Sequence, residues 1–236
     1  MTLLHALAAL ALSTALSMAA AVSSPADEPR NAIHPSAETV QPLLPGMKAP
    51  AFQVRDAAGR PVSFDPDHLA EPIVLTFFRG GWCPYCNLHL AELRHVQSDL
   101  KMMGFDLWFV SIDRPELLYE SLQDPDIGYT VLSDADLEAT RAFGLAFRLD
   151  DETVERYRGY GVDLEAVAGQ NHHVLPAPST FIIGKDGVIR FAYTNPNYQV
   201  RLHPAVLLAA ANAYLSDEDQ RLQREWEKRR ASESDG

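Results

Sequence analysis

Residues 73–87 read IVLTFFRGGWCPYCN, and this stretch contains both cysteines of the 236-residue chain. Residues 73–78 carry no charge and are rich in β-forming side chains, which predicts a buried strand that ends at the Gly-Gly pair. Beyond the second cysteine, apolar side chains recur at steps of three and four as far as Gly104, which predicts an amphipathic helix with a glycine stop. Cys83 and Cys86 are therefore expected at a strand-to-helix turn.

The position of the cysteine pair at the start of a helix favours thiol redox chemistry. Pro84 suits the first helical turn, where its missing N–H costs nothing. Unpaired backbone N–H groups and the positive end of the helix dipole stabilise a thiolate there and lower its pKa below the free value of about 8.5. A second thiol one turn away can resolve what the first one forms. We therefore interpret Cys83 and Cys86 as a redox-active pair.

Three other roles for the cysteines remain open from the sequence alone. A structural disulfide between Cys83 and Cys86 would close a very short loop and would stabilise the fold only weakly. A metal site could use both cysteines and His89, but no second cysteine pair completes it, and the remaining histidines, including His172 and His173, lack zinc-finger spacing. The flanking glycines and aromatic residues disfavour two unreactive buried thiols. We expect neither a metal nor another cofactor.

Composition narrows the class of partner. With 47% hydrophobic residues, the chain can bury one good-sized core, which indicates a single domain. The net charge of -12 argues against nucleic acid as a partner, since no basic run interleaved with aromatic residues offsets it. Small-molecule or protein-thiol substrates fit this composition better.

The two ends of the chain differ in character from the middle. Residues 1–21 are apolar, contain no charged side chain and end in a run of three alanines, so they resemble a secretory signal peptide. This predicts export, into the periplasm; an uncleaved apolar helix that anchors the chain or joins a dimer is the alternative, and would leave it cytoplasmic. Residues 22–43 are rich in Pro, Ala and polar residues and are interpreted as a linker. Residues 216–236 form a charged tail with helical character.

Residues 44–215 are predicted to form the folded domain. Strands and helices alternate in its centre, with hairpins at residues 52–64 and 181–193 and a last helix at residues 204–215. This order indicates an α/β fold with a mixed central sheet flanked by helices and an N-terminal β-hairpin. Residues 147–176 form a middle insertion that is expected to be the least regular part, either a functional loop or a short helix with a surface loop.

The motifs of the domain resemble those of the thioredoxin-fold superfamily, and most closely those of the alkyl hydroperoxide reductase/thiol-specific antioxidant (peroxiredoxin-like) family. The resemblance covers residues 44–215 and rests on GMKAPAF at 46–52, FFRGGWCPYCN at 77–87, PSTFII at 178–183 and DGVIRF at 186–191. It implies a thioredoxin-like fold and a thiol peroxidase that reduces hydroperoxides through a dithiol-disulfide cycle. It also implies re-reduction by an external thiol, such as a thioredoxin-like protein, and a homodimer is a further expectation.

The resemblance also assigns roles to individual residues. The spacing in typical peroxiredoxins places the peroxide-attacking thiol on Cys86 and the usual threonine on Cys83. The usual proline falls on Arg79, and the arginine that polarises the peroxide falls on Pro178. We therefore expect Arg79 to supply the positive charge beside the two cysteines. The candidates for the substrate site are Trp82, Pro84, Tyr85 and Pro178.

Thioredoxins and similar exported disulfide reductases provide an alternative. In these proteins the first cysteine, here Cys83, is the nucleophile, and a cis-proline lies opposite it in the place where Ala177-Pro178 stands. Thr76 falls where thioredoxin has a buried acidic residue, so the usual proton acceptor is missing. The alternative function is that of an exported dithiol-disulfide oxidoreductase acting on protein disulfides. A domain that only binds a metal or a partner protein is a third hypothesis.

Overall fold

The structure is a computed structural model that describes residues 30–121, 128–216 and 224–230. The predicted signal peptide lies outside these residues. So does most of the predicted C-terminal tail, of which residues 224–230 form an exposed helix. None of the described helices has the length and apolar character needed to cross a membrane.

Nine strands and six further helices build the described part of the domain. The strands are β1 (Phe52–Arg55), β2 (Pro61–Phe64), β3 (Ile73–Phe77), β4 (Asp106–Ser111), β5 (Thr130–Ser133), β6 (Ala146–Arg148), β7 (Val174–Pro176), β8 (Ser179–Ile183) and β9 (Ile189–Thr194). The helices are α1 (Pro84–Met102), α2 (Pro115–Ser121), α3 (Glu138–Ala142), α4 (Asp151–Gly159), α5 (Leu164–Ala168) and α6 (Pro204–Leu215). A short 3₁₀ turn at Ala37–Thr39 precedes them.

Seven of the strands form one mixed sheet in the order β2-β1-β5-β4-β3-β8-β9. The three central strands β3, β4 and β5 run parallel, whereas β1, β8 and β9 run antiparallel to their neighbours. The β1–β2 and β8–β9 pairs confirm the two predicted hairpins. Together they confirm the predicted α/β architecture, with a mixed central sheet and an N-terminal hairpin.

Apolar side chains cover both faces of the sheet. On one face, Leu93 of α1 and Leu207 of α6 belong to a cluster with Phe109 of β4. On the other face, Phe143 packs against Phe181 of β8, with ring centroids 5.1 Å apart. Every residue of β3 is buried. A strand covered by helices on both sides must be apolar throughout, which explains its uncharged sequence.

The insertion at residues 147–176 is more regular than predicted. It contains α4 and α5, and the short β6–β7 ladder closes it. Val154, Leu164 and Val174 share a small apolar cluster with Ile112 and Leu137 of the main domain, and Trp82 from the cysteine turn also packs against it. Of the two predicted alternatives, the one with a short helix is nearer to the structure. The other elements gave no sequence signal because they are only three to nine residues long, too short for a clear hydrophobic period.

The described part of the predicted linker, residues 30–43, packs against the domain. The backbone N–H of His34 donates to the carbonyl oxygen of Ala146 at 2.8 Å, and the side chain of Leu43 is only 1% exposed. The composition of this segment gave no sign of these contacts, because backbone groups make many of them. The folded unit therefore begins before residue 44.

Gly144 lets this N-terminal segment approach the end of α3. Its φ is +70°, and a Cβ there would overlap the carbonyl oxygen of Gln41. Gly161 also has a left-handed φ, +82°, but faces open space. We expect Gly161→Ala to cost about 1–2 kcal/mol of unfolding free energy from backbone strain, and Gly144→Ala to cost clearly more. Urea unfolding of both variants measures this, and equal losses would contradict the packing described.

Candidate active site

Side chains from other elements hold the turn between β3 and α1. The Gly81 N–H donates to Oδ2 of Asp113 at 2.7 Å, and the Asn87 amide donates to the Gly81 carbonyl oxygen at 2.9 Å. A Cβ on Gly80 would overlap Nε1 of Trp82 and Oδ1 of Asp113. Glycine is therefore needed at position 80 because a carboxylate and an indole approach the backbone closely.

The cysteine pair lies where the sequence predicts it. Cys83 is the N-cap of α1, Pro84 is the first helical residue, and Cys86 follows within the first turn. Both cysteines are free thiols, with exposed fractions of 1% and 0%. The helix start therefore presents two buried sulfur atoms next to each other.

Arg201 brings a guanidinium group directly to the sulfur atoms. It lies between β9 and α6, and its Nη2 is 3.2 Å from Sγ of Cys86 and 4.0 Å from Sγ of Cys83. Its Nε donates to the carbonyl oxygen of Tyr198 at 2.7 Å, which fixes the orientation of the guanidinium plane. The sequence analysis missed this residue and expected Arg79 alone to supply the positive charge.

Arg79 is buried among aromatic rings beside the same pair. Its Cζ lies 4.0, 5.0 and 5.2 Å from the ring centroids of Tyr198, Trp82 and Tyr157, and it donates a hydrogen bond to the Tyr157 hydroxyl. Within the described residues, neither Arg79 nor Arg201 forms an ion pair with a carboxylate. Both positive charges are therefore available to a thiolate.

The two thiols favour a state in which they carry one negative charge between them. The hydrogen bond from the Cys86 thiol lowers the pKa of Cys83 to about 6, with a further contribution from the Arg79 charge that acts against burial. Burial, followed by the hydrogen bond to Cys83, raises the pKa of Cys86. At neutral pH the pair thus consists of one thiolate and one thiol joined by a hydrogen bond. Because Arg201 lies near both sulfurs, the proton can shift between them while the charge stays compensated.

The remaining predicted substrate-site residues lie around the same turn. Tyr85 is 39% exposed, and its ring lies edge-on to Tyr198 with centroids 5.6 Å apart. Phe77 at the end of β3 pairs with Ser179, so the buried Pro178 lies at the same edge of the sheet as the cysteine turn. None of the described peptide bonds is cis, including the one that precedes Pro178. The cis-proline of the disulfide-reductase alternative is therefore not found here.

The histidines considered as ligands or proton carriers bind protein groups instead. His89 is buried, and its Nε2 lies 3.2 Å from the carbonyl oxygen of Leu202, next to Arg201 in sequence. Burial lowers the pKa of His89 to about 4, so the ring is neutral near pH 7. His172 contacts backbone groups, and His173 pairs with a glutamate of α5. The described residues contain no group of three side chains suited to a metal ion.

Sequence reasoning could have found one of the missed residues and not the other. Asp113 follows β4, and β3 and β4 are parallel neighbours, so their carboxyl ends must share one edge of the sheet. An acidic residue directly after that strand is thus a detectable signal. Arg201 is 115 positions from Cys86 in an irregular segment, and no local pattern points to it.

The architecture and the buried dithiol define a thiol protein with a thioredoxin-like fold. The sequence profile of the AhpC/TSA family matches residues 45–192, which is more than half of the chain. The chain therefore belongs to the AhpC/TSA family, and the predicted family is confirmed.

Known proteins with similar sequences and structures agree with this membership. Peroxiredoxin Bcp of Escherichia coli strain K12 is 29% identical over 106 residues, which cover 45% of this chain and 67% of that protein. Peroxidoxin BcpB of Mycobacterium tuberculosis has a similar fold, with a TM-score of 0.55 and 19% identity over 72% of this chain and 96% of that one. A peroxiredoxin 6 variant of Arenicola marina gives a TM-score of 0.58 and 18% identity over 74% and 75% of the two chains. These structures confirm the thioredoxin-like fold.

Replacing Arg201 should raise the pKa of the thiol pair and slow its oxidation. Losing a hydrogen bond to a charged group typically costs about 1.5–3 kcal/mol, so we expect Arg201→Met to slow the reaction with peroxide at pH 7 roughly 10- to 100-fold. Thiolate absorbance followed against pH should rise through about pH 6 in the wild type and at higher pH in the variant. Arg60→Met, at an exposed arginine paired with Asp56, is the matched control and should change neither quantity.

Proposed function

We propose that this protein reduces hydroperoxides through a cycle in which Cys83 and Cys86 alternate between a dithiol and a disulfide. The observation that carries this proposal is the pair of adjacent buried free thiols beside two guanidinium groups. Membership of the AhpC/TSA family supports thiol-dependent peroxide reduction of the thioredoxin-dependent type. Cys83 and Cys86 are therefore the residues to which we assign the activity of the family.

In the first step Cys86 attacks the peroxide. The family spacing gives this cysteine the attacking position, and Arg201 lies 3.2 Å from its sulfur. The shared proton moves to Cys83, which leaves the negative charge on Cys86. The thiolate then forms a bond to the terminal peroxide oxygen, and the O–O bond breaks. The departing oxygen takes a proton from solvent water and leaves as an alcohol or, from hydrogen peroxide, as water. Cys86 becomes a sulfenic acid.

In the second step Cys83 resolves the sulfenic acid. Its sulfur bonds to the sulfur of Cys86, the S–O bond breaks, and the oxygen leaves as water. The peroxide has then gained two electrons and the protein holds one disulfide. An external dithiol, such as a thioredoxin-like protein, attacks this disulfide and restores the two thiols.

Assembly of the protein as a homodimer stays a prediction.

One observation favours the alternative of a dithiol-disulfide oxidoreductase. The pKa of Cys83 is the lower of the two, and this cysteine caps the helix, so it is the better nucleophile toward a partner disulfide in the resting pair. The lack of a cis peptide before Pro178 argues against a close analogy to thioredoxins. The two functions differ in which cysteine attacks, and cysteine variants therefore separate them.

Rapid mixing of the reduced protein with hydrogen peroxide and with an organic hydroperoxide tests the proposal. Wild type should lose both thiols far faster than a free thiol does. In Cys83→Ser the reaction should stop at a sulfenic acid on Cys86, which a dimedone-type reagent traps and mass spectrometry locates. In Cys86→Ser the rate should fall to that of a free thiol, because the attacking sulfur is gone.

Two results would overturn this assignment. Wild-type oxidation no faster than that of a free thiol, together with rapid exchange with protein disulfides that needs Cys83, would make the protein a disulfide reductase. A fast peroxide reaction that survives in Cys86→Ser would keep the peroxidase activity but transfer the attacking role to Cys83.

We further propose that the protein is exported and works in the periplasm. The support is the apolar, uncharged run at residues 1–21 with its terminal alanines. Expressed with its full N-terminus in a bacterial host, the protein should appear in the periplasmic fraction and begin at Val22. N-terminal mass spectrometry checks this, and an intact Met1 in the cytoplasmic fraction would contradict it.

A further inference from the structure

Asp113 is a buried carboxyl group beside the cysteine turn. It follows β4 directly, its exposed fraction is 3%, and it lines a cleft of about 580 Å³ together with Gly81, Trp82 and Arg94. Placing a carboxyl group in such a position costs free energy unless its oxygens are bonded or its proton is used. Its surroundings therefore indicate what it does.

The two oxygens of Asp113 have different surroundings. Oδ2 accepts hydrogen bonds from the Gly81 N–H at 2.7 Å and from the Ser111 hydroxyl at 3.1 Å. Oδ1 is buried as well, yet it has no hydrogen-bond partner among the described residues, and the same holds for Nε1 of Trp82. Both of these atoms lie against Gly80. One oxygen thus holds the turn, while the other is able to receive a proton.

The protonation of Asp113 is coupled to the cysteine pair. Burial raises the pKa of Asp113 to about 6, and the charge of Cys83 contributes in the same direction. Ionisable groups on the elements around it include Cys83 and Arg79 on the turn, Arg94 on α1, which shares the cleft, and Asp134 after β5, whose N–H donates to the Ser111 carbonyl oxygen. Near neutral pH this carboxyl group can therefore both accept and release a proton.

The need for a proton acceptor arises only after Cys86 has reacted. The hydrogen bond from the Cys86 thiol is the largest cause of the low pKa of Cys83. This S–H group no longer exists once Cys86 carries oxygen, and the proton of the pair has moved to Cys83. Cys83 must therefore lose a proton as it attacks, at the moment when the strongest influence on its acidity has gone.

We propose that Asp113 accepts the thiol proton of Cys83 during disulfide formation and passes it to the departing oxygen. This inference rests on the proposed dithiol cycle. The S–S bond forms, the S–O bond of the sulfenic acid breaks, and the proton from Cys83 completes the water molecule that leaves. Asp113 ends the step in the protonation state in which it began, so no further oxidant or reductant is required.

Asp113→Asn separates this role from that of a simple clamp on the turn. A carboxamide oxygen can still accept from Gly81 and Ser111 but takes up no proton near pH 7. We expect the variant to react with peroxide within about twofold of the wild-type rate and to form the disulfide on the order of a hundredfold more slowly. Stopped-flow fluorescence follows the two phases separately at pH 6–8. Asp163→Asn makes the same change at the N-cap of α5, where one side-chain oxygen accepts both backbone hydrogen bonds, and should leave both phases unchanged.

A second measurement needs no peroxide. In Cys86→Ala, the alkylation rate of Cys83 against pH should rise in two steps, because ionisation of Asp113 shifts the pKa of Cys83. Adding Asp113→Asn should merge the steps into one at lower pH, since a like charge has been removed. A single alkylation step in Cys86→Ala would overturn the inference. Disulfide formation at the wild-type rate in Asp113→Asn would overturn it as well. If the wild-type protein fails to react with peroxide, the proposed function is overturned. The alkylation titration then still tests whether Asp113 and Cys83 are coupled.

Discussion

The attraction between one thiolate charge and two guanidinium groups, of which Arg79 is buried and Arg201 partly buried, is the interaction on which the site depends. Arg79 and Arg201 lie within the protein without a carboxylate partner among the described residues, and burying a cation in this way is costly unless an anion lies near. The sulfur pair provides that anion. The hydrogen bond from the Cys86 thiol is the largest cause of the low pKa of Cys83, and the charges of the two arginines lower this pKa further.

Three separate parts of the chain converge to produce this balance. The turn after β3 supplies the sulfurs and Arg79, the insertion supplies Tyr157, and the segment between β9 and α6 supplies Tyr198 and Arg201. The bond from His89 to the Leu202 carbonyl ties that last segment to α1, one turn beyond the cysteines. The regular structure of the insertion has a functional consequence, because an irregular loop would not hold an aromatic ring against a buried cation.

The sequence was sufficient for the parts of the structure that short-range patterns determine. The uncharged β3, the glycine turn, Pro84 at the helix start and the two hairpins each follow from local composition, and all of them are found. The parts that it did not reveal depend on contacts between distant residues. Arg201 contacts Cys86 from 115 positions away in the sequence. Asp113 lies beside the cysteine turn only because β4 pairs with β3. Backbone contacts such as that of His34 leave no trace in side-chain composition.

The cationic surroundings of the sulfurs also set the direction in which the cysteine pair exchanges electrons. When Cys83 and Cys86 join, the negative charge disappears while the buried Arg79 and the partly buried Arg201 remain next to them. The oxidised protein therefore keeps the cost of two uncompensated cations, which the reduced protein does not bear. Proteins whose reduced form is stabilised in this way have less negative reduction potentials and act as stronger oxidants. Even a mildly reducing thiol should then suffice to regenerate the dithiol, which suits a compartment where strong reductants are scarce.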